Sequence, residues 1–225
     1  MLFLVTLLLA SPALAAIIGT NGSFEEAILT QSWKQYDASD VPGWQTTSNS
    51  NVIELWNGNE MSSSLAGDSN DFSYLGDQHA ELNARTIDTL FQDIANVSSD
   101  QLLNFEFAHR GRSGDDTIRF SITDFGKDNI WGNTDDTSLF SQEYTTGKFA
   151  WNFYSSNGLA PIHTLGNTLR FSFDSVSSAG NDSYGNSLDA VQYTADPVPE
   201  PATMLLFGTG LAGLAGSIIR RKKRQ

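Results

Sequence analysis

The sequence predicts an all-β body, an antiparallel β-sandwich of jelly-roll type, followed by one C-terminal transmembrane helix. Three observations predict the body: β-rich runs recur from Ile17 to Asp196, Gly- and Asn-rich turns separate them, and no helical apolar period appears in that region. In order, the runs are Val52–Trp56, Ala80–Ala84, Thr89–Ile94, Leu102–Ala108, Thr117–Thr123, Leu139–Tyr144, Phe149–Tyr154, Thr168–Phe173 and Leu188–Tyr193. Leu103, Phe105 and Phe107 alternate with Asn104, Glu106 and Ala108, and Leu169, Phe171 and Phe173 alternate with Arg170 and Ser172. Each run therefore has one apolar face, as a half-buried strand requires. Asn57-Gly58-Asn59, Gly111-Arg112-Ser113-Gly114 and Ala179-Gly180-Asn181-Asp182 are the turn signals between runs. There is no internal repeat.

Composition narrows the function. The chain has 225 residues, no cysteine and a net charge of −13. Disulfides, thiolate nucleophiles and zinc–thiolate sites are excluded, so the core must hold by burial alone. Five of the 13 basic residues are Arg220, Arg221, Lys222, Lys223 and Arg224, and one acid, Glu200, stands just before them. The body is left with eight bases against 25 acids, a charge of −17. Such a surface repels phosphate backbones, so nucleic acid is not an expected partner, and it suits hard cations such as Ca²⁺.

The two ends carry addresses. Residues 1–15 have an apolar run without charge, MLFLVTLLLA, then Ser11, Pro12 and the A-x-A triplet Ala13-Leu14-Ala15. This is the order of a signal peptide, with cleavage expected between Ala15 and Ala16. A buried N-terminal strand is the alternative for the same run, and no Lys or Arg precedes Lys34. At the other end, residues 202–219 carry no charge and span roughly 27 Å as a helix, enough to cross a hydrocarbon core. The basic residues 220–224 then stay on the cytoplasmic side, since each would cost about 2.5–3.5 kcal/mol at the centre of a membrane helix. A body of residues 16–196 thus lies between a signal peptide and a C-terminal signal of residues 197–225.

Before the apolar span stands Pro199-Glu200-Pro201, which can sit neither in a helix interior nor in a central strand. This triplet, a glycine-rich apolar span and a terminal Arg/Lys cluster together resemble the PEP-CTERM sorting signal of Gram-negative bacteria. The resemblance implies that exosortase, a membrane transpeptidase, recognises the tail, cuts near the motif and passes the body to the cell surface or an exopolysaccharide matrix. The chain would be held only transiently in the inner membrane.

In the body, Asn21-Gly22-Ser23-Phe24-Glu25, Val41-Pro42-Gly43-Trp44 and Ser187-Leu188-Asp189-Ala190-Val191 resemble the opening, turn and closing strand of galactose-binding-like jelly rolls, which include carbohydrate-binding modules. Gln78–Asn83 and Phe105–Arg112 fit the same pattern. The resemblance implies a structural Ca²⁺ held by Glu25 and Asp189 with backbone carbonyls. The alternative for either carboxylate is a turn cap.

The remaining candidates are individual residues. His109, Arg110 and Arg112 concentrate cationic donors that could grip an acidic sugar, or could pair across strands with Asp115, Asp116 or Glu106. Trp44 and Trp151 read as packing residues, and Trp56, before a turn, as the best placed for exposure to a sugar ring. The stretch Asp124–Asp136 has oxygen ligands at loop spacing but fails the EF-hand template, and reads as a solvated hairpin loop. His79, His109 and His163 form no metal-binding cluster, no nucleophile motif occurs, and no spacing singles out a carboxylate pair. The expectation is a non-catalytic surface or matrix protein that binds carbohydrate. A polysaccharide hydrolase and a purely structural adhesin are the alternatives.

Overall fold

The computed structural model describes residues 15–58, 73–198 and 208–210. The signal peptide up to Leu14, the triplet Pro199-Glu200-Pro201, most of the apolar span 202–219 and the basic cluster 220–224 lie outside the described residues. Among the described residues no helix is long and apolar enough to cross a membrane.

The body is a two-sheet antiparallel sandwich. Its strands are β1 (Ala16–Ile17), β2 (Trp33–Asp37), β3 (Gln45–Thr46), β4 (Val52–Asn57), β5 (Gln78–Glu81), β6 (Thr89–Ile94), β7 (Ser99–Arg110), β8 (Asp116–Asp124), β9 (Thr137–Thr146), β10 (Asn152–Ser155), β11 (Ile162–Leu165), β12 (Leu169–Ser177) and β13 (Ser187–Pro197). The larger sheet, sheet A, runs β10-β7-β13-β5-β4-β2, with β1 added to β13 and β11 to β7. The smaller, sheet B, runs β3-β6-β12-β8-β9. Every run read from the sequence overlaps a strand, although residues 82–84 of one run and 149–151 of another lie outside the strands. β1, β2, β3 and β11 are additions.

Period-two patterning fills the space between the sheets. Phe105 and Phe107 of β7 face Phe120 of β8 and Phe173 of β12; Phe105–Phe120 and Phe120–Phe173 centroids are 4.7 and 4.8 Å apart. Phe171 stacks on Tyr193 at 4.0 Å. All these rings are essentially inaccessible. Burying each contributes about 1.5–3 kcal/mol before edge-to-face geometry is counted. Trp44 is a packing residue as the sequence implied: it is buried against Phe24 at 4.9 Å, and its Nε1 donates to the Asn21 carbonyl at 2.9 Å.

Polar residues occupy the alternate positions, so each sheet has a polar outer face. The opening segment crosses β13 so closely that a Cβ on Gly22 would lie 1.7 Å from the Val191 carbonyl oxygen, and only glycine fits there. This crossing brings the beginning and the end of the body together.

Candidate functional site

On the outer face of sheet A, the ladder aligns Trp33 with Trp56 and Gln35 with Glu54 between β2 and β4, then Trp56 with His79 and Glu54 with Glu81 between β4 and β5. Trp33 stacks on Trp56 at 5.8 Å. Arg112, from the β7–β8 turn, reaches over this row. Its guanidinium lies 4.4 Å from the Trp56 ring and 4.1 Å from the Tyr184 ring, and Nη1 donates to both Glu81 oxygens at 2.9 and 2.8 Å. Glu54 accepts from Trp56 Nε1 at 2.8 Å and Gln35 Nε2 at 2.9 Å, and Gly185 N donates to Glu81 at 2.8 Å. A pocket of about 280 Å³ remains between Trp33, Trp56, Arg112 and Tyr184.

Burial dominates the electrostatics here. It pushes Glu81 up to about 8 against the pull of Arg112, with Glu54 adding to the rise. Glu54 is likewise raised by burial, and the two carboxyls are close enough to hydrogen-bond. His79, behind them, is pushed down to about 3 by burial and then by Arg110 and Arg112, so it is neutral. Adjacent acids that burial favours in the protonated form are mutually compatible without a metal.

Two expectations about this region need correction. Trp56 is only 3% exposed, because β4 is an interior strand and Trp33 from β2 covers the indole. His109 is fully buried: its Nδ1 is 2.9 Å from Thr146 Oγ1 and its Nε2 2.9 Å from Asn186 Oδ1, and burial lowers it to about 4, so it is no cation. Arg110 is buried 5.9 Å from the Trp151 ring. Arg112 does pair with an acid, but its partner is Glu81; Asp116 accepts only its backbone N–H, at 2.8 Å. Trp151 packs edge-on against His79 at 5.3 Å and is half-buried.

Glu25 and Asp189 are brought to one place. Glu25 Oε1 accepts from the N–H groups of Asp77 and Gln78, both at 2.7 Å, and Asp189 Oδ2 accepts from Leu75 N–H at 2.9 Å. Both carboxylates thus grip the segment leading into β5. Glu25 is exposed, whereas Asp189 is fully buried and raised to about 7, mainly by burial, with the Glu25 charge contributing. Phe24 and Ala190, next to them in sequence, have φ of 60° and 50°. Left-handed backbone at non-glycine residues costs on the order of 1 kcal/mol. Among the described residues no three His, Asp or Glu side chains are arranged to hold a metal.

The outer face of sheet B holds a groove that the sequence reading did not single out. Thr47, Thr89, Ser121, Thr123, Ser172 and Asp174 line about 230 Å³ with Phe91, Arg170 and Trp131. Trp131 comes from the β8–β9 loop and is 47% exposed. Arg170 forks onto Asp93, Nε to Oδ1 and Nη2 to Oδ2, both 2.7 Å. Its plane lies 3.8 Å from the Phe91 centroid and 4.2 Å from that of Trp131. Along β8 and β9 the face continues with Ser121–Ser141 and Thr117–Thr145 hydroxyl pairs at 3.0 and 2.8 Å. An exposed indole wall, a fixed guanidinium and rows of hydroxyls can take a sugar ring: the indole meets C–H groups, the polar groups meet hydroxyls.

With this geometry in view, comparison with known proteins adds a second, independent feature. Residues 197–222 match the PEP-CTERM protein-sorting motif. The match indicates an exported protein sorted through a membrane anchor. No curated protein sequence matches the chain. The body is similar to jelly-roll carbohydrate-binding modules of known structure. TmCBM61 in complex with β-1,4-galactotriose aligns at 13% identity and TM-score 0.47, over 80% of this chain and 99% of that one. The CBM22-1 xylan-binding domain from Paenibacillus barcinonensis Xyn10C aligns at 14% and 0.45, over 84% and 100%. The enzymatically active domain of bacteriophage CBA120 tailspike protein 4 aligns at 16% and 0.46, over 80% of this chain but 21% of that one. The PEP-CTERM match begins at Pro197, the last residue of β13, so the sorting signal follows the sandwich directly.

Proposed function

We propose that this chain is an exported, non-catalytic glycan-binding protein, released by exosortase to the cell surface or the exopolysaccharide matrix, and that it binds through the groove on sheet B. The observation that carries this reading is Trp131, a large indole held open beside Arg170 above a floor of hydroxyls. The groove suits a neutral, extended glycan. Arg170 is already matched by Asp93, Asp174 adds negative charge, and a body of charge −17 disfavours polyuronates. The strand length of β8 gives a polysaccharide a track beyond one ring.

The hydrolase alternative finds no support in the buried acids of sheet A. Glu54 and Glu81 lie within hydrogen-bonding range, whereas glycosidase pairs stand roughly 5–9.5 Å apart, and Glu81 is engaged by Arg112 and Gly185. Ca²⁺ at Glu25 and Asp189 belongs to the same proposal: a buried carboxylate beside a second one suits a hard cation, which would tie the opening segment to β13. If so, EDTA lowers the melting temperature relative to excess Ca²⁺, and identical melts remove the ion from the account.

Glycan arrays and affinity electrophoresis with the full chain in detergent test the main claim. Retention of neutral polysaccharides is expected, and Trp131→Ala should weaken it by about 2 kcal/mol, or roughly 30-fold. Release of reducing ends would replace the reading with a hydrolase. No retention of any glycan would leave a structural adhesin.

A further inference from the structure

We propose that the β8–β9 loop is a cation site of its own, separate from Glu25 and Asp189, and that it takes Ca²⁺ through Asp124 and Asp136. The two residues bracket the loop: Asp124 is the last residue of β8, opposite Thr137 in the ladder, and Asp136 immediately precedes Thr137. They are therefore neighbours across the base of the hairpin. Asp124 is fully buried. Its Oδ1 accepts from Gly126 N at 2.9 Å and Asn167 Nδ2 at 2.7 Å, which sets the carboxylate beneath the loop, while its Oδ2 is buried with no hydrogen-bond partner among the described residues. Asp136 repeats the pattern. Its Oδ2 accepts from Gly132 N at 2.8 Å, and its Oδ1 is buried without a partner among the described residues.

A buried carboxylate oxygen with no donor destabilises the folded chain unless something supplies positive charge. Among the described residues no basic side chain pairs with either carboxylate; Arg170 is engaged by Asp93, and Lys127 is exposed. Asp128 and Asp135 deepen the negative field. Asp135 accepts from Lys127 N–H at 2.9 Å and lies so close to Gly126, φ 68°, that a Cβ there would be 2.3 Å from its Oδ2. The donors are all oxygens, which selects a hard cation over zinc, and a loop able to adjust favours Ca²⁺ over Mg²⁺ with its stricter octahedron. Two carboxylates completed by backbone carbonyls and water place the dissociation constant on the order of 10⁻⁴–10⁻³ M, the range of extracellular modules. The ion would also fix Trp131, which the same loop carries into the sheet B groove.

Terbium luminescence in the full chain, in detergent, tests the site without reference to any glycan. Trp131 lies within the loop and should sensitise bound Tb³⁺, with Ca²⁺ competing for the ion. Asp124→Asn with Asp136→Asn should weaken binding at least tenfold. Trp131→Phe leaves every carboxylate in place and should remove most of the emission. Glu25→Gln with Asp189→Asn removes the ligands of the ion in the functional proposal, and in that background the Trp131-dependent emission should remain, which separates the two ions. Emission that survives Trp131→Phe in that background, complete loss of emission on Glu25→Gln with Asp189→Asn, or emission that Ca²⁺ does not displace overturns the assignment, and so does its absence in the wild-type chain.

Discussion

Each outer face of the sandwich carries a tryptophan, an arginine and an acid in contact. On sheet A, Arg112 lies 4.4 Å from Trp56 and 2.8 Å from Glu81; on sheet B, Arg170 lies 4.2 Å from Trp131 and 2.7 Å from Asp93. The arginine side chains are equally exposed, at 11%. The difference lies in their partners: Trp56 is 3% exposed and Trp131 47%, and the side chains of Glu81 and Asp93 are 1% and 24% exposed. In the first trio, Trp33 and Tyr184 complete the stack, and the interaction serves the fold. In the second, one indole face is left to solvent and available to a ligand. Residue type alone does not separate the two roles; what covers the aromatic ring does.

The largest test of this contrast is truncation on the covered face. Trp56→Ala should cost about 3–5 kcal/mol in denaturant unfolding, the range for emptying a large core site. Arg112→Ala should cost about 3 kcal/mol, near the lower end for breaking a buried pair, because burial already keeps Glu81 protonated up to about pH 8 and no bare charge is left behind. Trp131→Ala should stay within about 1 kcal/mol of wild type. If Trp131→Ala unfolds the protein as readily as Trp56→Ala, the two faces do not differ in role.

Titration offers a smaller effect with a defined sign. Glu81 is raised from 4.5 to about 8 in the folded state, so its contribution is fully present below 4.5 and is lost as pH rises through 8. His79 and His109 are lowered from 6.5 to about 3 and about 4, so their contribution is present above 6.5 and is lost as pH falls. Asp189, raised from 3.8 to about 7, adds a second extra proton to the folded chain up to about pH 7. Between about pH 4.5 and 6.5 the folded-state protons on Glu81 and Asp189 offset the two that the histidines take in the unfolded chain, so stability should be nearly level there. Above pH 6.5 only the folded chain holds extra protons, and stability should fall until about pH 8 by about 1.4 kcal/mol per pH unit per net proton. Thermal melts from pH 5 to 9 check this plateau and its alkaline limb, and Glu81→Gln should flatten the limb between about pH 7 and 8. A limb that persists there in that variant assigns the titration to another group.

Much of the sandwich was legible because its central strands obey the two-residue period: Leu103, Phe105 and Phe107 of β7, and Leu169, Phe171 and Phe173 of β12, face inward as the alternation implies. The missed strands lack that signal. β2 reads Trp-Lys-Gln-Tyr-Asp and buries only Tyr36, β11 has four residues, and β1 and β3 have two each. That omission misplaced Trp56: without β2 it stood at an apparent strand tip, whereas Trp33 in fact covers it. The pairing of Arg112 with Glu81 spans 31 residues, and no local pattern reveals a partner at that distance. The groove on sheet B was half legible. Arg170 was placed on the polar face of its strand by alternation, but Trp131 was hidden in a loop read as solvated, where an exposed indole among acids was the available clue.

The smallest and most discriminating test is Arg170→Lys. Lysine keeps the charge but has neither the planar fork that meets both Asp93 oxygens nor the flat face lying 3.8 Å from Phe91 and 4.2 Å from Trp131. The pair with Asp93 is partly solvated, so stability should change by no more than about 1 kcal/mol. Glycan retention should fall further than stability does, because Trp131 loses the surface that holds its ring at the groove wall. Equal retention by the lysine variant would mean that the wall is fixed by the β8–β9 loop itself, and that the open trio owes its geometry to the loop and not to the guanidinium stack.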